Sequence, residues 1–205
     1  MRLTALLVWL AALADAATPS VYDPNLDVTY TGTTRNGIEV FLSIPYGHDT
    51  APPNRFKQPK PFIPTAGSSI DAQSAGPACP QQKGAPFKPL YLSNVTETSE
   101  DCLHLNVYKP KGVSAGAKLP VMLFIHGGSF IIGSKDELAT QPDGLVLKSI
   151  DNGNPIIGVN INYRLGSKTH YNSPDSDLIG FTHVFQSSDL PNPPHWKKKA
   201  PKMQD

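Results

Sequence analysis

Cysteine is scarce in this chain of 205 residues: there are two, Cys79 and Cys102. Two cannot build a disulfide-rich mini-scaffold, and their spacing is wrong for a C-x-x-C redox or metal motif. A surplus of either charge is also missing. Lys plus Arg is 18 and Asp plus Glu is 17, a formal net charge of +1. That balance gives no electrostatic case for binding nucleic acid or an anionic membrane surface. After the first residues no apolar run is long enough to span a bilayer, which takes about 20 residues. No cofactor and no metal are expected, and oligomeric state is not legible. Disorder throughout is excluded by a hydrophobic content of 39% at low net charge. Proline is in excess, at 21 residues, roughly twice the usual share of about 5%. So much proline excludes a simple helical bundle and predicts long ordered loops.

The N-terminus reads as a secretory signal. Met1-Arg2 gives a positive start, Leu3 to Leu13 is almost wholly apolar, and Ala14-Asp15-Ala16 is a small-x-small cleavage pattern. Residues 1–16 are therefore expected to be removed, and the mature chain to be secreted without a transmembrane segment. In an oxidising compartment a disulfide between Cys79 and Cys102 is favoured over two buried thiols. Asn94-Val95-Thr96 is a glycosylation sequon, which places Asn94 on an exposed loop.

The pattern of the next 150 residues is α/β. Val28 to Thr33 and Ile38 to Leu42 are β-type runs flanking Asn36-Gly37, the strongest short hairpin signal. Residues 45–89 carry ten prolines and should be neither regular sheet nor helix. The apolar anchors Phe41, Ile44, Tyr46, Phe56, Phe62 and Phe87 favour an ordered wrap over a linker. Leu103 to Tyr108 alternates apolar and polar, as a half-buried strand does. Leu119 to Ile125 and Pro155 to Ile161 are continuous apolar runs, expected to be strands covered on both faces. Between them Pro142 to Ile150 has a helical pattern, ended by Asn152-Gly153. Strand, loop, helix, strand is a βαβ unit. Residues 167–205 are polar, proline-bearing and end near Lys197-Lys198-Lys199, the composition of a solvated, disordered tail.

The stretch with chemical content is Phe124-Ile125-His126-Gly127-Gly128-Ser129-Phe130. A core strand runs straight into a glycine turn. Such a turn brings bare N–H groups close to a ligand, and two of them can hold the oxyanion of an acyl-transfer intermediate. Around it the sequence resembles the type-B carboxylesterase/lipase family, the cholinesterase-like α/β-hydrolases. The resemblance is carried, in order, by Asn36-Gly37-Ile38, Phe41 to Tyr46, Arg55-Phe56, Ser99-Glu100-Asp101-Cys102-Leu103-His104-Leu105-Asn106-Val107, Pro120-Val121-Met122 with the His126 to Phe130 turn, and Val159 to Gly166. It implies an α/β-hydrolase fold whose N-terminal part, residues 17–166, holds an N-terminal β-hairpin and an incomplete central mixed sheet. It further implies a Cys79–Cys102 disulfide and a structural ion pair between Arg55 and Glu100. The backbone N–H groups of Gly128 and Ser129 would be oxyanion donors, with Gly127 shaping the turn. Ser129 stands where many members have a third glycine. His126 looks structural and does not match the family's catalytic histidine.

The family's nucleophile would follow the Asn162-Tyr163-Arg164-Leu165 segment, and no elbow is recognised there. The one G-x-S-x-G match, Gly112-Val113-Ser114-Ala115-Gly116, precedes the oxyanion turn and leads into a strand, so it reads as a flexible connector. The resemblance thus implies a secreted hydrolase of small-molecule or lipid esters, cut before its nucleophile and inactive as this chain. A truncated product, or an unspliced intron after Gly166, would account for the tail. The alternative is a non-catalytic secreted binding or adhesion protein of the same family. In either case the strands at 121–125 and 156–161 are expected to show open, aggregation-prone edges.

Overall fold

The structure, a computed structural model, describes residues 18–81, 95, 97–114 and 116–166. The leader 1–16, the sequon asparagine Asn94, the anchor Phe87 and the tail 167–205 lie outside the described residues. Among the described residues two sheets form. A small one pairs β1 (Ser20–Asp23), β2 (Val28–Thr31) and β5 (Ser69–Asp71). The main one has β3 (Thr33–Arg35), β4 (Ile38–Pro45), β6 (His104–Pro110), β7 (Val121–Ile125) and β8 (Ile157–Ile161), in the spatial order β3-β4-β6-β8-β7. Pairing is antiparallel up to β8, and β7 lies parallel to β8, so the sheet is mixed. The crossover between the parallel strands carries α1 (Asp143–Asp151).

Local chemistry accounts for these elements. Asn36 and Gly37 both have positive φ, 51° and 83°, as the tight turn joining β3 to β4 requires. The N–H of Gly153 donates to Ile150 O and that of Asn154 to Ser149 O, a paired closure that ends α1 at Asn152-Gly153. Ile38, Val40 and Leu42 of β4, Tyr108 of β6 and Val146 of α1 make one buried cluster, with Leu147 and Ile156 packed against it. Full burial of side chains of this size contributes about 1.5–3 kcal/mol each.

Several expectations are corrected. The β-type run 28–33 is not one strand: it splits at Gly32, Val28–Thr31 joining the small sheet while Thr33–Arg35 forms the hairpin. The proline-rich stretch does contain a strand, β5, because Ala72 N–H can donate to Thr31 O and Leu42 N–H to Ala72 O, so the segment stitches the two sheets. Phe56, one of the apolar anchors of that stretch, is half exposed. Lastly, β7 is not covered on both faces: Val121, Leu123 and Ile125 are 61%, 43% and 43% exposed. β7 is the edge strand, whereas β8 is paired on both sides, so only one of the two expected open edges exists among the described residues.

An ion pair clamps the hairpin to the helix. Arg35 donates through Nε to Asp143 Oδ1 at 2.8 Å and through Nη2 to Oδ2 at 2.7 Å, and Asn36 Nδ2 adds a bond at 3.3 Å. The guanidinium also lies 5.4 Å from the centroid of the Tyr108 ring. Asp143 sits in the first turn of α1, where a negative charge meets the positive end of the helix dipole. Asp143→Ala leaves a half-buried guanidinium without its acceptor. It is expected to cost about 2–3 kcal/mol, read as a lower urea midpoint at unchanged m. A loss below about 0.5 kcal/mol, the range of an exposed pair, would contradict this assignment.

Candidate functional site

The C-terminal ends of the parallel strands β7 and β8 lie side by side, and the chain leaves each by a loop. After β7 come His126, Gly127, Gly128, Ser129 and Phe130. After β8 come Asn162, Tyr163, Arg164 and Leu165. The two loops are locked together. The Tyr163 ring stacks on the buried His126 imidazole at 4.4 Å between centroids, and its hydroxyl donates to His126 O at 2.8 Å. Gly166 N–H donates to Phe130 O at 2.7 Å, and Phe130 meets Tyr163 edge-on.

Within the first loop, Gly128, Ser129 and Phe130 all have positive φ: 115°, 53° and 62°. The carbonyl of Gly128 accepts two bonds, from Ile131 N–H at 3.0 Å and Ile132 N–H at 3.2 Å. A Cβ at Gly128 would lie 1.9 Å from Ile132 O, so only glycine fits there. Gly133 closes the loop at φ 122°, where a Cβ would meet His126 Nδ1 at 2.3 Å. Ser129 does tolerate the left-handed conformation, at a cost of about 1–2 kcal/mol. Gly127 and Ser129 are exposed and Gly128 is partly exposed. Among the described residues neither the Gly128 nor the Ser129 N–H has an acceptor. Successive main-chain N–H groups in such a turn form a concavity suited to an anion.

His126 is fixed in one tautomer. Its Nδ1 lies 2.8 Å from Gly127 O, and since a carbonyl only accepts, Nδ1 carries the proton. Burial pushes the imidazole below its ordinary value, opposed by that bond. Its Nε2 is buried without a partner among the described residues. His126 thus packs beneath the turn and does not face a serine.

The other anticipated residues lie outside the loop. Cys79 and Cys102 form a disulfide. Arg55 donates through Nε to both carboxylate oxygens of Glu100, at 2.8 and 3.1 Å, and through Nη2 to Oε2. Glu100 O in turn accepts from the Thr50 N–H and hydroxyl. Ser114 lies on the exposed connector between β6 and β7, flanked by Gly112 and Gly116, both at positive φ. Among the described residues no serine hydroxyl is bonded to a histidine; Ser43 Oγ and His104 Nδ1 are each buried without a partner. Nor do the described residues hold a group of three or more His, Cys, Asp or Glu able to bind a metal ion.

Sequence reasoning passed over four polar residues that hold this region. Asn162 accepts from Lys135 N–H at 2.8 Å and donates to Pro77 O and Cys102 O, both at 3.1 Å. Lys135 is fully buried, and its ammonium bonds Asp136 at 2.5 Å. Burial lowers the Lys135 value, opposed by Asp136. Asn106 donates to the same carboxylate at 2.7 Å. Gln81 bonds the main chain of Gly133 twice, at 2.8 and 2.9 Å. For the asparagines a signal existed: Asn106 and Asn162 lie in or next to apolar strands, where a buried amide must find partners.

Comparison with known proteins assigns this architecture. The profile of the Carboxylesterase family matches residues 27–180, past the point where the resemblance by eye ends. A secreted lipase of Arthroderma benhamiae is 45% identical over 160 residues, 78% of this chain and 28% of that protein. VdtD of Byssochlamys spectabilis, an inactive carboxylesterase-like protein, is 43% identical over 82% of this chain and 28% of its own length. Among solved structures, the juvenile hormone esterase of Manduca sexta superposes with a TM-score of 0.62 at 28% identity, covering 75% of this chain and 28% of that one. A thermophilic PNB esterase superposes at 0.56 with 36% identity, covering 68% and 27%. The chain therefore spans a little over a quarter of the length of the relatives it matches. With an α/β-hydrolase sheet and a glycine turn at the end of β7, this chain belongs to the carboxylesterase family.

Proposed function

We propose that this chain is the oxyanion-holding part of a secreted carboxylic ester hydrolase of the serine type. The observation that carries the reading is the pair of N–H groups at Gly128 and Ser129, without an acceptor among the described residues and presented at the C-terminal end of β7. In a serine esterase a hydroxyl attacks the acyl carbonyl as a histidine takes its proton, and the new oxyanion needs two such donors. Gly127 shapes the approach and buried His126 supports it from below. Among the described residues no serine is placed with a base and an acid, and the reading therefore takes the 205 residues alone to be inactive. The substrates are small-molecule or lipid esters, in keeping with relatives named as lipases. Secretion rests on the apolar leader and on a relative named as a secreted lipase. A second reading, a non-catalytic secreted binding or adhesion protein, draws on VdtD, which is named as inactive.

Two experiments bear on this. The mature chain, given p-nitrophenyl butyrate and a fluorophosphonate probe, is expected to show neither turnover nor a labelled serine. A labelled serine would mean that the chain holds a nucleophile after all. A chimera with residues 18–166 in place of the matching segment of the thermophilic PNB esterase is then expected to hydrolyse the ester. In it Gly128→Ala keeps the N–H, but its Cβ would collide with Ile132 O and turn that donor away, so kcat should fall by about 10²–10³, the usual effect of losing one oxyanion donor. A folded but inert chimera favours the non-catalytic reading.

The second concerns pH. A histidine whose folded value lies below its unfolded value of about 6.5 contributes stability above that pH, and this is lost as the pH falls through the folded value. His126 does so through burial, and His104 likewise, with Asp101 opposing. Urea midpoints are expected to fall between pH 7.5 and pH 5, and His126→Phe should shrink that fall. An equal fall in the variant would show that His126 is not the titrating group.

A further inference from the structure

We infer that Gln81 is the positioning residue of the 126–133 loop, and that through it the Cys79–Cys102 disulfide sets the direction of the free amides. The inference extends the reading above, in which those amides hold an oxyanion. Gln81 stands two residues beyond Cys79 and 52 residues before Gly133, yet its amide treats Gly133 as a strand would. Nε2 donates to Gly133 O at 2.8 Å, and Gly133 N–H donates to Oε1 at 2.9 Å. The same Nε2 donates to Cys79 O at 3.1 Å, which ties the clamp to the disulfide.

Gly133 is where such a clamp has leverage. At φ 122° its backbone packs so closely on the start of the loop that a Cβ would lie 2.3 Å from His126 Nδ1 and 2.7 Å from Gly127 O. A shift of Gly133 by a few tenths of an ångström is therefore passed directly to His126 and Gly127. Ile131 and Ile132, just before it, donate to Gly128 O and fix the left-handed turn. A second strut runs from the disulfide to the far side of Gly133: Cys102 O accepts from Asn162 Nδ2, and Asn162 Oδ1 holds the Lys135 N–H. Both cysteines thus carry a carbonyl that anchors an amide side chain, and the two amides grip the loop at 133 and 135.

A residue with this role is recognised by its effect on bonds it does not make. The test follows amide hydrogen exchange in the mature full-length chain at Ile131 and Ile132, which Gln81 does not touch. Gln81→Met keeps volume and removes all three bonds, the two to Gly133 and the one to Cys79. Exchange at Ile131 and Ile132 is expected to quicken at least about tenfold, with α1 and β8 unchanged. Gln81→Glu keeps an acceptor for Gly133 N–H but sets an ionised oxygen against Gly133 O. It should loosen the loop near neutral pH. Its ratio to wild type should return toward one as the pH falls and the introduced carboxyl takes up the proton that replaces the lost donor. Reduction of the disulfide should quicken the same two amides in wild type and do so by a smaller factor in Gln81→Met, where only the Asn162 strut is left to release. Unchanged exchange at 131 and 132, quickening spread evenly over the chain, or a Gln81→Glu ratio indifferent to pH would each overturn the inference. The readout involves no ester, so it can succeed or fail independently of the oxyanion reading, which the chimera decides.

Discussion

Three consecutive main-chain torsions, at Gly128, Ser129 and Phe130, are the constraint around which this region is organised. A left-handed run is unfavourable for residues with a side chain, by about 1–2 kcal/mol at each of Ser129 and Phe130. It persists because the surroundings leave no other path. Gly128 O is engaged by two amides, Phe130 O by Gly166, and the space beside Gly128 and Gly133 is too tight for a methyl group. What the run achieves is negative in form: it leaves two N–H groups without a carbonyl partner among the described residues. Exposed amides can rely on water. In a closed site they would be matched only by an anion formed there.

The frame behind the loop is polar, and that has an energetic logic. A fully buried Lys135 is tolerable because Asp136 pairs with it and Asn106 shares that carboxylate. Asn162 satisfies three main-chain groups from three separate segments. Each such bond adds only about 1 kcal/mol net, but leaving a buried partner unmade costs more than that. A network of this kind adds little to stability by number, yet it specifies one arrangement sharply. The disulfide supplies the fixed point, and the Arg55–Glu100 pair steadies the segment that leads into Cys102.

Much of this was legible in the sequence where the determinant is local. Asn36-Gly37 forces positive φ at two successive residues and so declares the hairpin. The apolar spacing at 145, 146, 147 and 150 gives the helix, and Asn152-Gly153 its end. His126-Gly127-Gly128 marks a strand that stops in a tight turn. The rest depends on partners far along the chain. Gly32 divides a β-type run because the two halves find different sheets. Val121, Leu123 and Ile125 read as doubly covered, yet periodicity reports apolarity and says nothing about which side of a sheet finds a neighbour. Gln81 was passed over because a glutamine in a proline-rich stretch carries no pattern; its role exists only once Gly133 is folded against it.

The chain spans a little over a quarter of its relatives, and β7 carries an open edge with apolar side chains beside the turn. The central claim is that the amides at 128 and 129 are aimed at an oxygen that becomes negative. Its most direct measurement is a crystal structure of the chimera carrying residues 18–166, inhibited by a trifluoromethyl ketone that adds to the host's serine. The account predicts the resulting oxyanion within about 2.7–3.1 Å of both the Gly128 and Ser129 nitrogens. An oxygen held by other donors, with those two amides turned toward protein or bulk water, would contradict it.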